Sequence, residues 1–101
     1  GPDINDYLQT YNISMAFMAC TGVTMKSGLT NASAEEYITK KAIAENANSM
    51  ILLADHSKFG RISLMTYSSM EKLDAIVTDQ PLPEEYDSFC QEHGIRVMTI
   101  D

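Results

Sequence analysis

This 101-residue chain lacks long apolar runs, an excess of positive charge and clustered cysteines. No apolar run approaches the ~20 residues that a bilayer-crossing helix needs. Seven Lys and Arg stand against fourteen Asp and Glu, a formal net charge of −7. A surface of that sign repels a phosphate backbone, which argues against nucleic-acid binding by this segment. Cys20 and Cys90 lie far apart, with no C-x-x-C spacing and no His–Cys cluster, so they do not read as zinc ligands. Each sits in an apolar pattern, as a reduced buried thiol of a cytoplasmic protein would. The sequence carries no Ser-His-Asp, metal or nucleotide motif, so no catalytic residue, metal or cofactor is expected. It has no repeat, low-complexity tract or interdomain linker, and its length suits one small domain. The start has neither the basic nor the apolar region of a signal peptide. Gly1-Pro2 without a methionine reads as a protease scar on a piece of a longer protein.

Apolar segments alternate with amphipathic ones. Ile13–Cys20 and Met50–Ala54 are apolar without alternation and predict buried strands. Thr21–Gly28 predicts a loop, punctuated by two glycines. Ser33 followed by Glu36 has capping-box spacing at the start of a helix. Ala34, Tyr37, Ile38 and Ala42 form its apolar stripe; Glu36 with Lys40 and Lys41 with Glu45 form i,i+4 pairs. Further strands are predicted over Ile62–Tyr67, Ala75–Thr78 and Ile95–Ile100. A helix opens at Pro83, with Tyr86, Phe89, Cys90 and His93 on one face and Gly94 as its stop. Ile4–Tyr11 reads as a short helix or an irregular lead-in, and Met70–Leu73 as a helical turn. The alternation predicts an α/β fold, a mainly parallel sheet flanked by helices. Ligands of such sheets gather at the carboxyl ends of strands, which here open onto Thr21–Gly28, Asp55–Arg61 and Asp79–Pro83.

Leu52-Leu53-Ala54-Asp55-His56-Ser57-Lys58-Phe59-Gly60-Arg61 is the most informative of these junctions. An apolar strand stops at an acid, a hydroxyl, a cation and a glycine. Lys58 suits a phosphate as a point charge on a flexible stem. Asp55 suits two sugar hydroxyls, or the backbone N–H groups of its own loop in an Asx-turn. Ser57 donates to the anion or closes the turn, and His56 reads as a solvated loop residue. Thr21 and Gly22 open the first strand, where backbone N–H groups either cradle an anion or only make a tight turn. Glu35 bonds sugar hydroxyls or satisfies its helix N-terminus; Lys41 lines the site or stays with Glu45. Charge is unevenly spread. Thr21–Ser69 holds five basic residues against four acids, whereas from Met70 onward two face eight. An anion is better received by the middle of the chain.

Five blocks in order resemble the sensor domain of DeoR-type transcriptional regulators. They are Gly22-Val23 with Gly28-Leu29-Thr30, Glu35-Glu36, Lys40-Lys41-Ala42, Leu52 through Gly60, and Ile76-Val77-Thr78-Asp79. The D-x-S-K-F-G run is the most specific, and its D-x-S-K step also resembles ribose-5-phosphate isomerases. The sensor resembles the ribose-5-phosphate isomerase and CoA-transferase-like fold. The resemblance implies a bacterial repressor with an N-terminal winged helix-turn-helix and a sensor that binds a phosphorylated sugar. It implies a homo-oligomer, because such repressors read paired operator sites. Family sensors begin earlier, with a strand and a Gly-Thr-Thr loop. Residues 3–101 therefore correspond to the C-terminal portion of an effector-binding domain, and operator DNA would be a partner only through the absent helix-turn-helix. Ala19 stands where the family usually carries glycine. The expected function is effector sensing, without enzymatic activity or a membrane partner. The competing readings are a fragment of a sugar-phosphate isomerase-like enzyme and an oligomerisation module.

Overall fold

A computed structural model describes residues 3–100. Gly1, Pro2 and Asp101, and with them the protease-scar reading, lie outside the described residues. The chain runs α1 (Ile4–Leu8), β1 (Ile13–Met18), β2 (Gly22–Thr24), β3 (Gly28–Asn31), α2 (Ala34–Asn46), β4 (Ala47–Leu53), β5 (Met65–Ser68), β6 (Ala75–Thr78), α3 (Glu84–Glu92) and β7 (Arg96–Thr99). Short 3-10 turns cover His56–Lys58 and Met70–Lys72.

The expected α/β architecture is present. Four strands form a sheet in the order β1-β4-β6-β7, and all its pairings are parallel. Its carboxyl ends therefore point one way, and the segments after Met18, Leu53, Thr78 and Thr99 meet at one end. Ala16 and Met18 of β1, Met50 and Leu52 of β4 and Ile76 of β6 face the helices and are buried. Tyr86 and Cys90 of α3 and Ala44 of α2 join them. The opposite sheet face is bare: Met15, Phe17, Leu53 and Met98 are exposed, Phe17 to 61%. β1 is expected to be buried throughout; instead Met15 to Met18 alternate between exposed and buried, because no helix among the described residues covers that second face.

Several expected boundaries move. Thr21–Gly28 is not a plain loop. It contains β2 and leads into β3, and these pair antiparallel, with β5 added on the far side of β3. Ser27 N–H donates to Thr24 Oγ1 at 2.8 Å inside the connecting turn. The fifth strand starts at Met65, not at Ile62, and Ile62 and Leu64 are exposed. β4 begins at Ala47, directly after α2. The α2 stripe also shifts: Ala42 and Ala44 are buried, whereas Ile38 is exposed. Ser33 does cap α2, accepting from the Glu36 N–H at 3.3 Å. The Glu36 carboxylate does not return to the cap; it accepts from Asn31 Nδ2 at 2.8 Å. Pro83 is the N-cap of α3.

Candidate effector site

The loop after β4 is organised by its own acid. Asp55 Oδ1 accepts from the Ser57 N–H at 2.8 Å and from the Ser57 hydroxyl. Its Oδ2 receives Lys58 Nζ at 3.3 Å. The Ser57 hydroxyl, and then the Ser57 N–H, hold the Asp55 carboxyl at a pKa of about 2, below its ordinary 3.8. The Asx-turn reading of Asp55 thus describes its geometry. The carboxylate stays exposed, with free lone pairs for further donors.

The same loop is tied to its neighbours on both sides. The His56 N–H donates to Asp79 Oδ1 at 2.7 Å, and His56 Nδ1 lies 2.9 Å from Asp79 Oδ2. These bonds draw the Asp79 carboxyl below its ordinary pKa. On the other side the Gly60 N–H donates to Val23 O at 2.9 Å, and Phe59 bridges Val23 in parallel. The Lys58 loop and the glycine-bearing Thr21-Gly22 segment are thereby adjacent. Asp55 and Asp79 also rim an open cleft of about 290 Å³, whose floor is Leu53, Ala54, Val77, Thr78 and Ile100.

Thr21 and Gly22 are held mainly by structure. The Thr21 N–H donates to Thr30 O at 2.9 Å, so it is not free for an anion. A Cβ on Gly22 would lie 2.3 Å from Arg61 O. Glycine is therefore required where this strand passes the Arg61 backbone.

A family model described as the DeoR C-terminal sensor domain matches residues 1–80. The chain belongs to the DeoR sensor-domain family. It is 50% identical over 97 residues to the HTH-type transcriptional regulator IolR of Bacillus subtilis (strain 168), covering 96% of this chain and 39% of that protein. It is 29% identical over 92 residues to the glycerol-3-phosphate regulon repressor of Escherichia coli (strain K12), covering 91% of this chain and 36% of that protein. It is 25% identical over 101 residues to the HTH-type transcriptional repressor GlcR of Bacillus subtilis (strain 168), covering 100% of this chain and 39% of that protein. The chain thus spans about two fifths of the length of these transcriptional regulators.

In this DeoR sensor chain, Asp55, Ser57 and Lys58 lie together beside Thr21 and Gly22, and two further expected residues lie apart from them. Lys41 donates to the Tyr37 hydroxyl at 3.2 Å and lines a cleft between α1 and α2 with Asp3, Ile4 and Glu45. Glu35 shares a shallow cleft on the first turns of α2 with Glu36, Thr39 and Lys40.

Lys40, expected as a partner for Glu36 and part of a matching block, points elsewhere. Its Nζ donates to Ala19 O at 3.0 Å and to Asn31 Oδ1 at 2.9 Å, and stands 5.6 Å from the centroid of the Tyr67 ring. The Tyr67 hydroxyl donates to the same Ala19 O at 2.8 Å. Burial raises the Cys20 thiol to a pKa of about 11; Lys40 and Lys58 both oppose that rise. Asp79, the clamp on His56, stands in the sequence as the start of the third strand-end loop and the last residue of a matching block, with no side-chain role assigned to it. Among the described residues, no group of three or more His, Cys, Asp or Glu is arranged to hold a metal ion. No helix among them is long and apolar enough to cross a membrane.

Proposed function

We propose that this chain senses a phosphorylated sugar for a DeoR-type transcriptional repressor of the cytoplasm. The observation that carries the reading is the Asp55-Ser57-Lys58 cluster, set at the carboxyl end of a parallel strand in a loop whose Phe59 and Gly60 pair with Val23, next to Gly22. Lys58 attracts the phosphate, and Asp55 and Ser57 exchange hydrogen bonds with sugar hydroxyls. Thr21 and Gly22 border the ligand, and Glu35 and Lys41, which lie apart from the cluster, are more distant candidates. The name of the E. coli relative, a glycerol-3-phosphate regulon repressor, refers to a phosphorylated polyol. Repression requires a helix-turn-helix elsewhere in the longer protein and a ligand that prefers one of two conformations. A coupling of ~1–3 kcal/mol changes operator affinity from several-fold to about a hundredfold.

Calorimetric titration of the intact sensor with glycerol 3-phosphate and hexose 6-phosphates tests the reading. Wild type binds one of them, and Lys58→Ala weakens binding about tenfold or more, as loss of a charge-assisted bond does. Equal affinity in the two proteins removes Lys58 from the site. Turnover of a sugar phosphate by the intact protein would favour an isomerase-like enzyme instead.

A second reading, assembly through this chain, is favoured by the bare face of the parallel sheet. Parallel sheets are ordinarily covered on both faces, and here Met15, Phe17, Leu53 and Met98 stand exposed together. In this reading a second copy covers the face. Sedimentation at high micromolar concentration decides: self-association that Phe17→Ser abolishes supports it, and a pure monomer rejects it.

A further inference from the structure

Two ammonium groups flank the carboxyl end of β1, and their charges are compensated differently. Lys58 faces the Asp55 carboxylate at 3.3 Å. Lys40 has only neutral acceptors, the Ala19 carbonyl and the Asn31 amide oxygen, besides the face of Tyr67. Among the described residues no carboxylate comes within 4.0 Å of Lys40 Nζ. Glu36, one turn earlier and the partner expected from spacing, is engaged by Asn31. The Lys58 charge is therefore offset by direct contact, whereas Lys40 meets the nearest carboxylate, Glu36, only through the Asn31 amide and keeps more of its attraction for an anion.

Position supports the same conclusion. Ala19 directly follows β1, and the chain then runs through Cys20 and Thr21 into β2. α2 reaches this stretch through Lys40 on Ala19 O. The Asp55 loop reaches the β2 strand that follows it, through Gly60 and Phe59 on Val23. Ala19 is exposed and Thr21 half-buried, although Cys20 between them is buried, so Ala19 is open to solvent. Glu35 and Glu36 share the Lys40 cleft on the outer side of α2, which disfavours an anion there and leaves the Ala19 side as the approach.

We propose that Lys40 is the second ammonium of the effector site: the ligand's phosphate settles at the carboxyl end of β1 between Lys40 and Lys58, with Lys40 supplying the charge that no carboxylate touches. This rests on the reading of the Asp55 loop as a sugar-phosphate site and adds the residue that receives the anion. Lys58 then bridges the phosphate and Asp55, which stays free to select hydroxyls.

Inorganic phosphate is the probe, titrated into the 101-residue chain and followed by backbone amide and lysine side-chain NMR. Lys40→Gln keeps a donor for Ala19 O but removes the charge; Lys40→Arg keeps both. The expected result is phosphate affinity about tenfold weaker in Lys40→Gln, ~1.4 kcal/mol, and within about threefold of wild type in Lys40→Arg. A folded Lys40→Gln that binds phosphate as wild type does overturns the proposal. Should that variant fail to fold, the wild-type Lys40 side-chain resonances decide, because saturation with phosphate that leaves them unmoved also overturns it. Phosphate that shifts the Ser57 and Lys58 amides but not Lys40 refutes this inference and preserves the loop reading. A wild type that binds neither inorganic phosphate nor any sugar phosphate refutes both.

Discussion

The two segments that meet at the end of the parallel sheet are held in opposite ways. The stretch after β1 is fixed by backbone packing: Gly22 abuts Arg61 O, the Thr21 N–H is bonded to Thr30 O, and Ala19 O takes two donors from different elements. The loop after β4 is fixed by exposed charged side chains bonding one another and their own backbone. A ligand cannot rearrange the first without breaking packing. It can rearrange the second by exchanging one polar partner for another, at little net cost in water. A sensor needs both, a rigid reference against which a second element changes its bonds.

The sharpest way to break this contrast is to add one methyl group to each segment. In Gly22→Ala the new Cβ would lie 2.3 Å from Arg61 O and 2.6 Å from Arg61 C, both backbone atoms. The expected loss of stability is about 2–3 kcal/mol, the upper range for overpacking. In Gly60→Ala the Cβ meets nothing within 4 Å, and the cost comes only from a φ of +91°. About 1 kcal/mol is expected for that backbone conformation. Urea unfolding of both variants measures the difference. Equal losses would mean that the β1 end is no more rigid than the loop.

Tyr67→Phe sharpens the contrast with a smaller effect. It removes one of the two donors to Ala19 O and leaves Lys40 in place. A loss of about 1 kcal/mol is expected, as for an ordinary hydrogen bond whose acceptor keeps another partner. If Lys40 alone suffices to hold Ala19 O, urea midpoints of variant and wild type will coincide.

What was legible in the sequence divides along the same line. The β4 loop could be read because its chemistry is contiguous: Asp55, Ser57 and Lys58 act on one another within four residues. β6 and the core positions Tyr86 and Cys90 of α3 also followed from local pattern. The β1 end was hidden because its contacts are distant in sequence. β2 and β3 are only three and four residues long, and β3 completes its pairing with β5 more than thirty residues away. Two glycines at their edges looked like loop punctuation, although Gly22 is there to let two backbones touch. Lys40 was assigned to Glu36 by i,i+4 spacing, because nothing local signals a carbonyl twenty-one residues upstream. The bare sheet face was equally hidden: an apolar strand looks the same whether one face or two are covered.

Acid titration gives the smallest expected effect and isolates the loop. The Asp55 carboxyl has a folded-state pKa of about 2, below its ordinary 3.8, chiefly through Ser57. Its bonds therefore add stability that is fully present above the ordinary value and is lost as pH falls through about 2. The Asp79 carboxyl, lowered by His56, acts with the same sign. Both groups are exposed, so solvent screens the effect and the slope is shallow. Urea midpoints of wild type should decline between about pH 5 and pH 2, and Asp55→Asn should flatten part of that decline. Gly22 and its neighbours carry no titrating group in this range, so Gly22→Ala should run parallel to wild type at lower stability. A decline left unchanged by Asp55→Asn would show that the loop does not depend on its acid, and the division between a packed arm and a polar arm would fail.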